Sequence, residues 1–155
     1  MHRRCEREGL LSEIIEVPPG DGRLVAVYPV MRELRTDLSE EEFNARYEAG
    51  HPLGYRLVAL FEGGECRAAA GYRFFTNFVS GLHMYVDDLV TGERWRSQGY
   101  GRTLNEYLLE LARREGCTSV QLDSNVRRTR AHRFYFRERY FISSFHFVRV
   151  LGDSG

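Results

Sequence analysis

The stretch Arg96-Ser97-Gln98-Gly99-Tyr100-Gly101-Arg102 constrains this chain more than any other. An apolar run at 82–90 that reads as a strand precedes it, and an amphipathic run at 103–114 that reads as a helix follows. A strand that turns through glycines into a helix start makes an anion site. The first-turn N–H groups have no intrahelical partners, and the helix dipole adds partial positive charge there. Gly99 and Gly101 allow backbone angles and a close approach that a Cβ would forbid. Arg94, Arg96 and Arg102 flank the turn with guanidinium forks that match phosphate. The ligand expected of this turn carries phosphates.

Two better-known phosphate loops fit poorly. A Walker A loop needs GxxxxGK[ST], and the chain contains no lysine. The dinucleotide fingerprint GxGxxG needs a glycine where Leu104 stands, and it belongs in a first strand–helix unit. The spacing that is met is Arg/Gln-x-x-Gly-x-Gly/Ala, through Arg96, Gly99 and Gly101. It resembles the acyl-CoA pyrophosphate loop of the GNAT superfamily of N-acetyltransferases. That resemblance implies acetyl-CoA as acyl donor, held by Arg96, Ser97, Gln98, Gly99, Tyr100, Gly101 and Arg102.

At 155 residues the chain is expected to form a single domain over 1–155, with a core that needs no staples. Twenty-two basic residues balance 22 acidic ones, so no bulk field argues for nucleic acid or an anionic membrane. All the basic residues are arginine, which reads as genome composition. No apolar run is long enough to span a membrane and no leader pattern is visible. Cys5, Cys66 and Cys117 are odd in number and widely separated, and the five histidines are scattered. This predicts a reducing, cytoplasmic setting and no metal site.

In chain order, the charged segment 1–9 is expected to be loosely ordered. A short strand over 12–17 stops at Pro18-Pro19-Gly20. Leu24, Val27, Tyr28, Met31 and Leu34 recur at helical spacing, with Pro29 either starting or kinking that helix. Ser39 with Glu42 is a capping box opening a helix that Gly50 closes. Strands are predicted over 55–61, 66–75, 82–90 and 119–123, a helix over 130–139, and a last strand over 141–151. The element order is β-α-α-β-β-β-α-β-α-β. It predicts an α/β fold of the α+β kind: a mixed, predominantly antiparallel sheet with helices on both faces. That order is similar to the GNAT acyl-CoA N-acyltransferase fold.

Two further motifs bear on chemistry. Asn125 followed by Ala131-His132-Arg133-Phe134-Tyr135 resembles the family's last-helix pattern. The resemblance implies that Asn125 contacts the cofactor and that Tyr135 gives a proton to the departing thiolate. A phenol of pKa ~10 is protonated at neutral pH and suited to that; a half-buried core aromatic is the other reading. His132 reads as a surface or capping residue rather than a base. Where family members follow that helix with Gly-Phe, this chain has Tyr140-Phe141, so the helix must end differently.

The other motif, Tyr85-Val86-Asp87-Asp88-Leu89-Val90, is similar to the acidic pair of the small-amine branch. The resemblance implies that N–H groups of Leu89 and Val90, at a bulge, bind the thioester oxygen. Asp87, or else Asp88, would attract an ammonium group and relay its proton through water. Strand alternation places the two aspartates on opposite faces, so one of them lines the pocket. Their other reading is as strand-end carboxylates that cap nearby N–H groups.

Together these motifs lead us to expect an N-acetyltransferase that moves an acetyl group from acetyl-CoA to a primary amine by direct attack in a ternary complex. The amine belongs to a small molecule or peptide, and a homodimer is allowed for. Diamines, aralkylamines, amino acids, aminoglycosides and protein N-termini all suit such a fold. Tyr72, Phe74, Phe75 and Phe78, with the aspartates, point to a cation with an apolar stem. One alternative is a non-catalytic acyl-CoA-binding, regulatory domain. Another, a nucleic-acid partner for the arginines of 127–139, conflicts with the zero net charge.

Overall fold

Two places where a strand gains one residue decide which side chains of this sheet meet which helices. The computed structural model describes residues 3–7 and 10–152, with side chains from residue 11 onward. Within it the chain forms two compact units, residues 1–122 and 123–155.

The first unit is built on a six-stranded sheet of β1 (Arg3–Arg7), β2 (Leu10–Glu16), β3 (Arg56–Glu62), β4 (Glu65–Asn77), β5 (Gly81–Thr91) and β6 (Val120–Leu122). The strands lie in sequence order, antiparallel throughout except for the parallel β5–β6 pair. Alternation along β2 and β3 sorts the core into two layers. Ile15, Leu57, Ala59 and Phe61 pack with α1 (Leu24–Leu34) and α2 (Glu40–Gly50). Ile14, Val58 and Leu60 pack with α3 (Tyr100–Arg114) on the other face.

The bulges then shift the phase. Leu60 pairs with Ala68 and Phe61 with Cys66, which leaves Arg67 as the extra residue of β4. Gly71 pairs with Asp88 and Tyr72 with Val86, which leaves Asp87 as the extra residue of β5. Before this second bulge Met84 and Val86 face α3; after it Val90 faces α1 and α2.

Several local expectations hold. Ser39 Oγ accepts the Glu42 N–H at 3.1 Å while the Glu42 carboxylate accepts the Ser39 N–H at 3.2 Å, the reciprocal capping box. Gly116, with φ 77°, closes α3. Helix α1 starts at Leu24 and contains Pro29 rather than starting there. The ring removes only the bond to the carbonyl of Val25, on the solvent side of the helix, where water can replace it.

Two expectations fail. Of residues 1–9, expected to be loosely ordered, 3–7 form β1, because the outer edge of β2 offers N–H and C=O groups that need partners and a charged segment can supply them; 1, 2, 8 and 9 lie outside the described residues. Residues 141–151, expected to be a strand, have no regular secondary structure. Phe147 and Leu151, for example, are each 91% exposed. Alternating aromatic and β-branched residues suit a pleated, half-buried surface, and these residues are exposed instead. The second unit's helix is α4 (Thr129–Arg137).

Candidate active site: a glycine-opened helix and a bulged strand

The segment after β5 turns through Ser97 and Gly99, both in left-handed backbone conformation at φ 63° and φ 89°, and enters α3 at Tyr100. Glycine takes that conformation without penalty; serine does so at a cost of ~1 kcal/mol or more. Thr103 donates both its N–H and its hydroxyl to the Gly99 carbonyl, each at 3.0 Å, so the first turn is fixed on Gly99. Gly101 lies in that turn with no Cβ to cover the backbone. The arginines around it are exposed and ion-paired with nearby glutamates. Arg96 lies 3.8 Å from Glu33 and 3.9 Å from Glu93, and Arg102 pairs with Glu106 one turn along. Glu33 of α1 also accepts the Glu93 N–H at 2.6 Å, which ties the segment to that helix. The loop is therefore a glycine-opened helix N-terminus with exposed, ion-paired arginines beside it.

Next to it, β5 has an open edge. Its pairing with β6 covers only Met84, Tyr85 and Val86, and no strand pairs with β5 on that side from Asp87 to Thr91 among the described residues. The Gly92 N–H donates to the Arg67 carbonyl of β4 at 2.9 Å. Counting back by alternation, the N–H groups of Val90 and Asp88 point to β4, whereas that of Leu89 points to the open edge.

The bulge at Asp87 also corrects the expected placement of the acidic pair on opposite faces. The extra residue cancels the alternation, and both carboxylates lie on the side of α1 and α2. Asp88 Oδ1 accepts from Arg35, the residue that ends α1, at 2.8 Å, and Asp88 Oδ2 accepts from the Tyr55 hydroxyl at 2.5 Å. Burial, and then the charge of Asp88, push the Tyr55 phenol well above its ordinary pKa, so it remains a donor. Arg35 also donates to the Asp87 carbonyl at 3.0 Å. Asp87 itself is held by Arg73 in a two-pronged pair, at 2.9 and 3.0 Å. The Arg73 guanidinium lies 5.3 Å from the ring centre of Phe75 and 5.2 Å from that of Tyr85.

The four aromatics expected to wall one pocket are dispersed. Tyr72 and Phe74 belong to the α3 side, Phe75 to the opposite side with His83 and Tyr85, and Phe78 is fully exposed in the β4–β5 turn. Alternation along β4 divides them. Arg35, Tyr55 and Arg73 were missed from the sequence. Gly71 was the available signal, because a glycine inside a strand marks a bulge or a close approach.

In the second unit, Asn125 organises the start of α4. Its side-chain oxygen accepts the Arg127 N–H and its carbonyl accepts the Arg128 N–H, both at 2.9 Å. A ring nitrogen of His132 lies 2.9 Å from the same carbonyl, a capping position. Tyr135 is half-buried, and its phenol is held above the ordinary value by burial, with the Arg128 charge opposing. The helix ends without the usual glycine because Arg139, not Tyr140, takes the left-handed angle, φ 67°. The Tyr140 N–H closes back on the Tyr135 carbonyl at 2.9 Å.

A sequence model described as the Acetyltransferase (GNAT) family matches residues 24–140. The chain is 41% identical over 109 residues to the uncharacterised N-acetyltransferase YhdJ of Bacillus subtilis, covering 70% of this chain and 77% of that protein. It is 38% identical over 66 residues to the aminoalkylphosphonate N-acetyltransferase of Salmonella typhimurium, 43% of each chain. Among solved structures, the aminoglycoside N-acetyltransferase AAC(6')-Iy in complex with CoA superposes with a TM-score of 0.81 at 12% identity, over 94% of this chain and 99% of that one. Glucosamine-6-phosphate N-acetyltransferase from Arabidopsis thaliana superposes with a TM-score of 0.72 at 21% identity, over 91% and 99%. The match across most of its length, with close sequence identity to an N-acetyltransferase, means that this chain belongs to the GNAT family of acetyltransferases.

Proposed function

We propose that the chain transfers an acetyl group from acetyl-CoA to a small primary amine, by direct attack within a ternary complex. The observation that carries this reading is the glycine-opened loop at Gly99 following directly on a β5 edge that is open beyond Val86. The loop, residues 96–102, would take the pyrophosphate on its backbone N–H groups, with Arg96 and Arg102 closing over it. The pantetheine arm would pair along the open edge, Val90 supporting it from within the ladder. The Leu89 N–H would then face the thioester oxygen as it becomes an oxyanion. Asn125 would contact the donor.

The amine must lose a proton before it attacks. Asp87, paired with Arg73 and partly exposed, is suited to receive that proton through water. Asp88, gripped by Arg35 and Tyr55, fixes the bulge on which Asp87 and Leu89 sit. Nitrogen attack makes the new N–C bond, the nitrogen releases its second proton to water, the tetrahedral intermediate collapses by breaking the C–S bond, and the thiolate takes a proton from Tyr135, which regains one from solvent. A phenol raised above its ordinary pKa stays protonated through the neutral range and so puts no limb on the rate below about pH 10.

Two measurements test this. Acetyl-CoA should raise the melting temperature of the chain, by an amount that follows RT ln(1 + [L]/Kd), and replacing both Gly99 and Gly101 by valine should abolish the rise. Tyr135→Phe should leave donor affinity intact and lower turnover by about 100-fold, the range for loss of a general acid. A folded valine double variant that still binds donor would remove the loop from this role.

A further inference from the structure

Beneath the loop lies a buried charged cluster that the chemistry above does not use. The Tyr100 hydroxyl, on the first residue of α3, donates to Glu62 Oε2 at 2.5 Å. Glu62 ends β3 and is only 8% exposed. Arg67, the extra residue of the β4 bulge and 6% exposed, sets its Nε 3.8 Å from the same Glu62 oxygen and its Nη1 2.9 Å from Glu65. Neither of those two guanidinium nitrogens is aligned for a hydrogen bond. The cation is therefore held by two carboxylates and by the ring of Trp95, whose centre lies 3.3 Å below it. Its carbonyl meanwhile accepts the Gly92 N–H. Arg67 thus holds both the entry to the segment and Trp95, and Glu62 holds its exit at Tyr100.

We propose that Tyr100, Glu62 and Arg67 are positioning residues for the acyl donor. Their side chains set the orientation of the first turn of α3, and hence of the N–H groups that would face the pyrophosphate, without themselves touching the donor. Tyr100 serves the loop in two ways, its backbone at the ligand and its hydroxyl toward the core. The physical reason is specific. Glu62 carries a buried negative charge whose partners are a cation fixed on β4 and the Tyr100 hydroxyl, so Tyr100 cannot rotate away without leaving that carboxylate short of a donor. Gly99 itself restrains rotation little, so beyond the two Thr103 bonds it is the Tyr100 anchor that sets how the turn is oriented.

This inference rests on the loop binding the donor. Its test uses the full chain, with acetyl-CoA affinity measured by calorimetry and steady-state constants measured on the same preparations. Tyr100→Phe keeps the ring and removes the hydroxyl. It should weaken acetyl-CoA binding by about 10-fold, the scale of one hydrogen bond to a charged group. The donor KM should rise in parallel while kcat at saturating donor and the acceptor KM stay within about twofold. Glu62→Gln, which can still accept from Tyr100 but no longer balances Arg67, should lose affinity in the same pattern. It also decides the matter if Tyr100→Phe fails to fold. Emission from Trp95, the chain's single tryptophan, should shift in Glu62→Gln as Arg67 relaxes over the ring. Folded variants that bind acetyl-CoA as tightly as the parent, or whose kcat falls as far as kcat/KM, would overturn the proposal. If the parent itself does not bind acetyl-CoA, the donor assignment fails first, and the two failures are told apart by that control.

Discussion

The Tyr55 hydroxyl reaches Asp88 through the space that a side chain on Gly71 would fill. A Cβ built on Gly71 would lie 1.7 Å from the phenol oxygen and 2.4 Å from its ring carbon, while the oxygen itself lies 2.5 Å from Asp88 Oδ2. The bulge, the glycine and the carboxylate are therefore one arrangement, and Gly71→Ala should break it. We expect a loss of about 1–3 kcal/mol in urea unfolding, the scale of overpacking in a dense interior. In a Tyr55→Ala background the same change should be nearly neutral, a non-additivity of about 1 kcal/mol or more. Equal losses in both backgrounds would mean that the phenol is not what excludes the side chain.

The way α4 ends supplies a second prediction. Arg139 adopts φ 67°, where an L side chain crowds its own backbone, at a position that glycine fills without penalty. Arg139→Gly should stabilise the chain by roughly 1 kcal/mol, seen as a higher urea midpoint with an unchanged slope. Tyr140→Gly should not, since Tyr140 is not the left-handed residue. A stabilising Tyr140→Gly would place the helix end one residue later.

What could be read from the sequence divides along the range of the interactions. The Gly99 turn and the Ser39–Glu42 capping box depend on residues within a few positions of one another, and both are visible as spacing. The grip of Arg35 on Asp88 joins residues 53 positions apart, and nothing local announces it. The bulges at Arg67 and Asp87 fall between these cases. A period of two read along β5 assumes that no residue is inserted, so one extra residue moved Asp88 to the face assigned to Asp87. The segment 141–151 shows the opposite error: its side chains suit a strand, but they are exposed instead, which composition does not reveal.

Alkaline pH should unfold the chain through its buried phenols. Tyr47 donates to the Val17 carbonyl at 2.6 Å, and burial pushes its pKa from 10.0 up to about 12. Because the folded value lies above the unfolded one, the fold favours the protonated phenol. That contribution is complete below pH 10 and is lost as pH rises through 10 toward 12. Burial raises the Cys66 thiol in the same sense, from 9.0 to about 12. Urea midpoints measured from pH 8 to pH 11.5 should therefore fall above pH 9 to 10. Tyr47→Phe should flatten part of that fall while lowering stability at pH 8 by about 1 kcal/mol for the lost hydrogen bond. A Tyr47→Phe curve parallel to the parent's would assign the alkaline loss to other groups.

The Arg73 guanidinium rests near the rings of Phe75 and Tyr85 and binds both oxygens of Asp87, so the chain's own cation occupies the place where an ammonium group would be best received. If the acceptor is a cationic amine, Arg73 competes with it, and binding requires the guanidinium to swing outward from its 45% exposed position. Arg73→Ala should then lower the KM for diamines and aralkylamines by about 2- to 30-fold, the range of a cation–π contact of ~0.5–2 kcal/mol. Asp87→Asn should raise it, and neither change should alter acetyl-CoA affinity. If instead the acceptor carries an anionic group, as the substrate class named for the aminoalkylphosphonate relative does, Arg73 would bind that group and Arg73→Ala would raise KM. The sign of this single change, measured on a diamine and on an aminoalkylphosphonate side by side, decides between the two acceptor classes. A rise for the phosphonate with no fall for the diamine would sink the cationic reading.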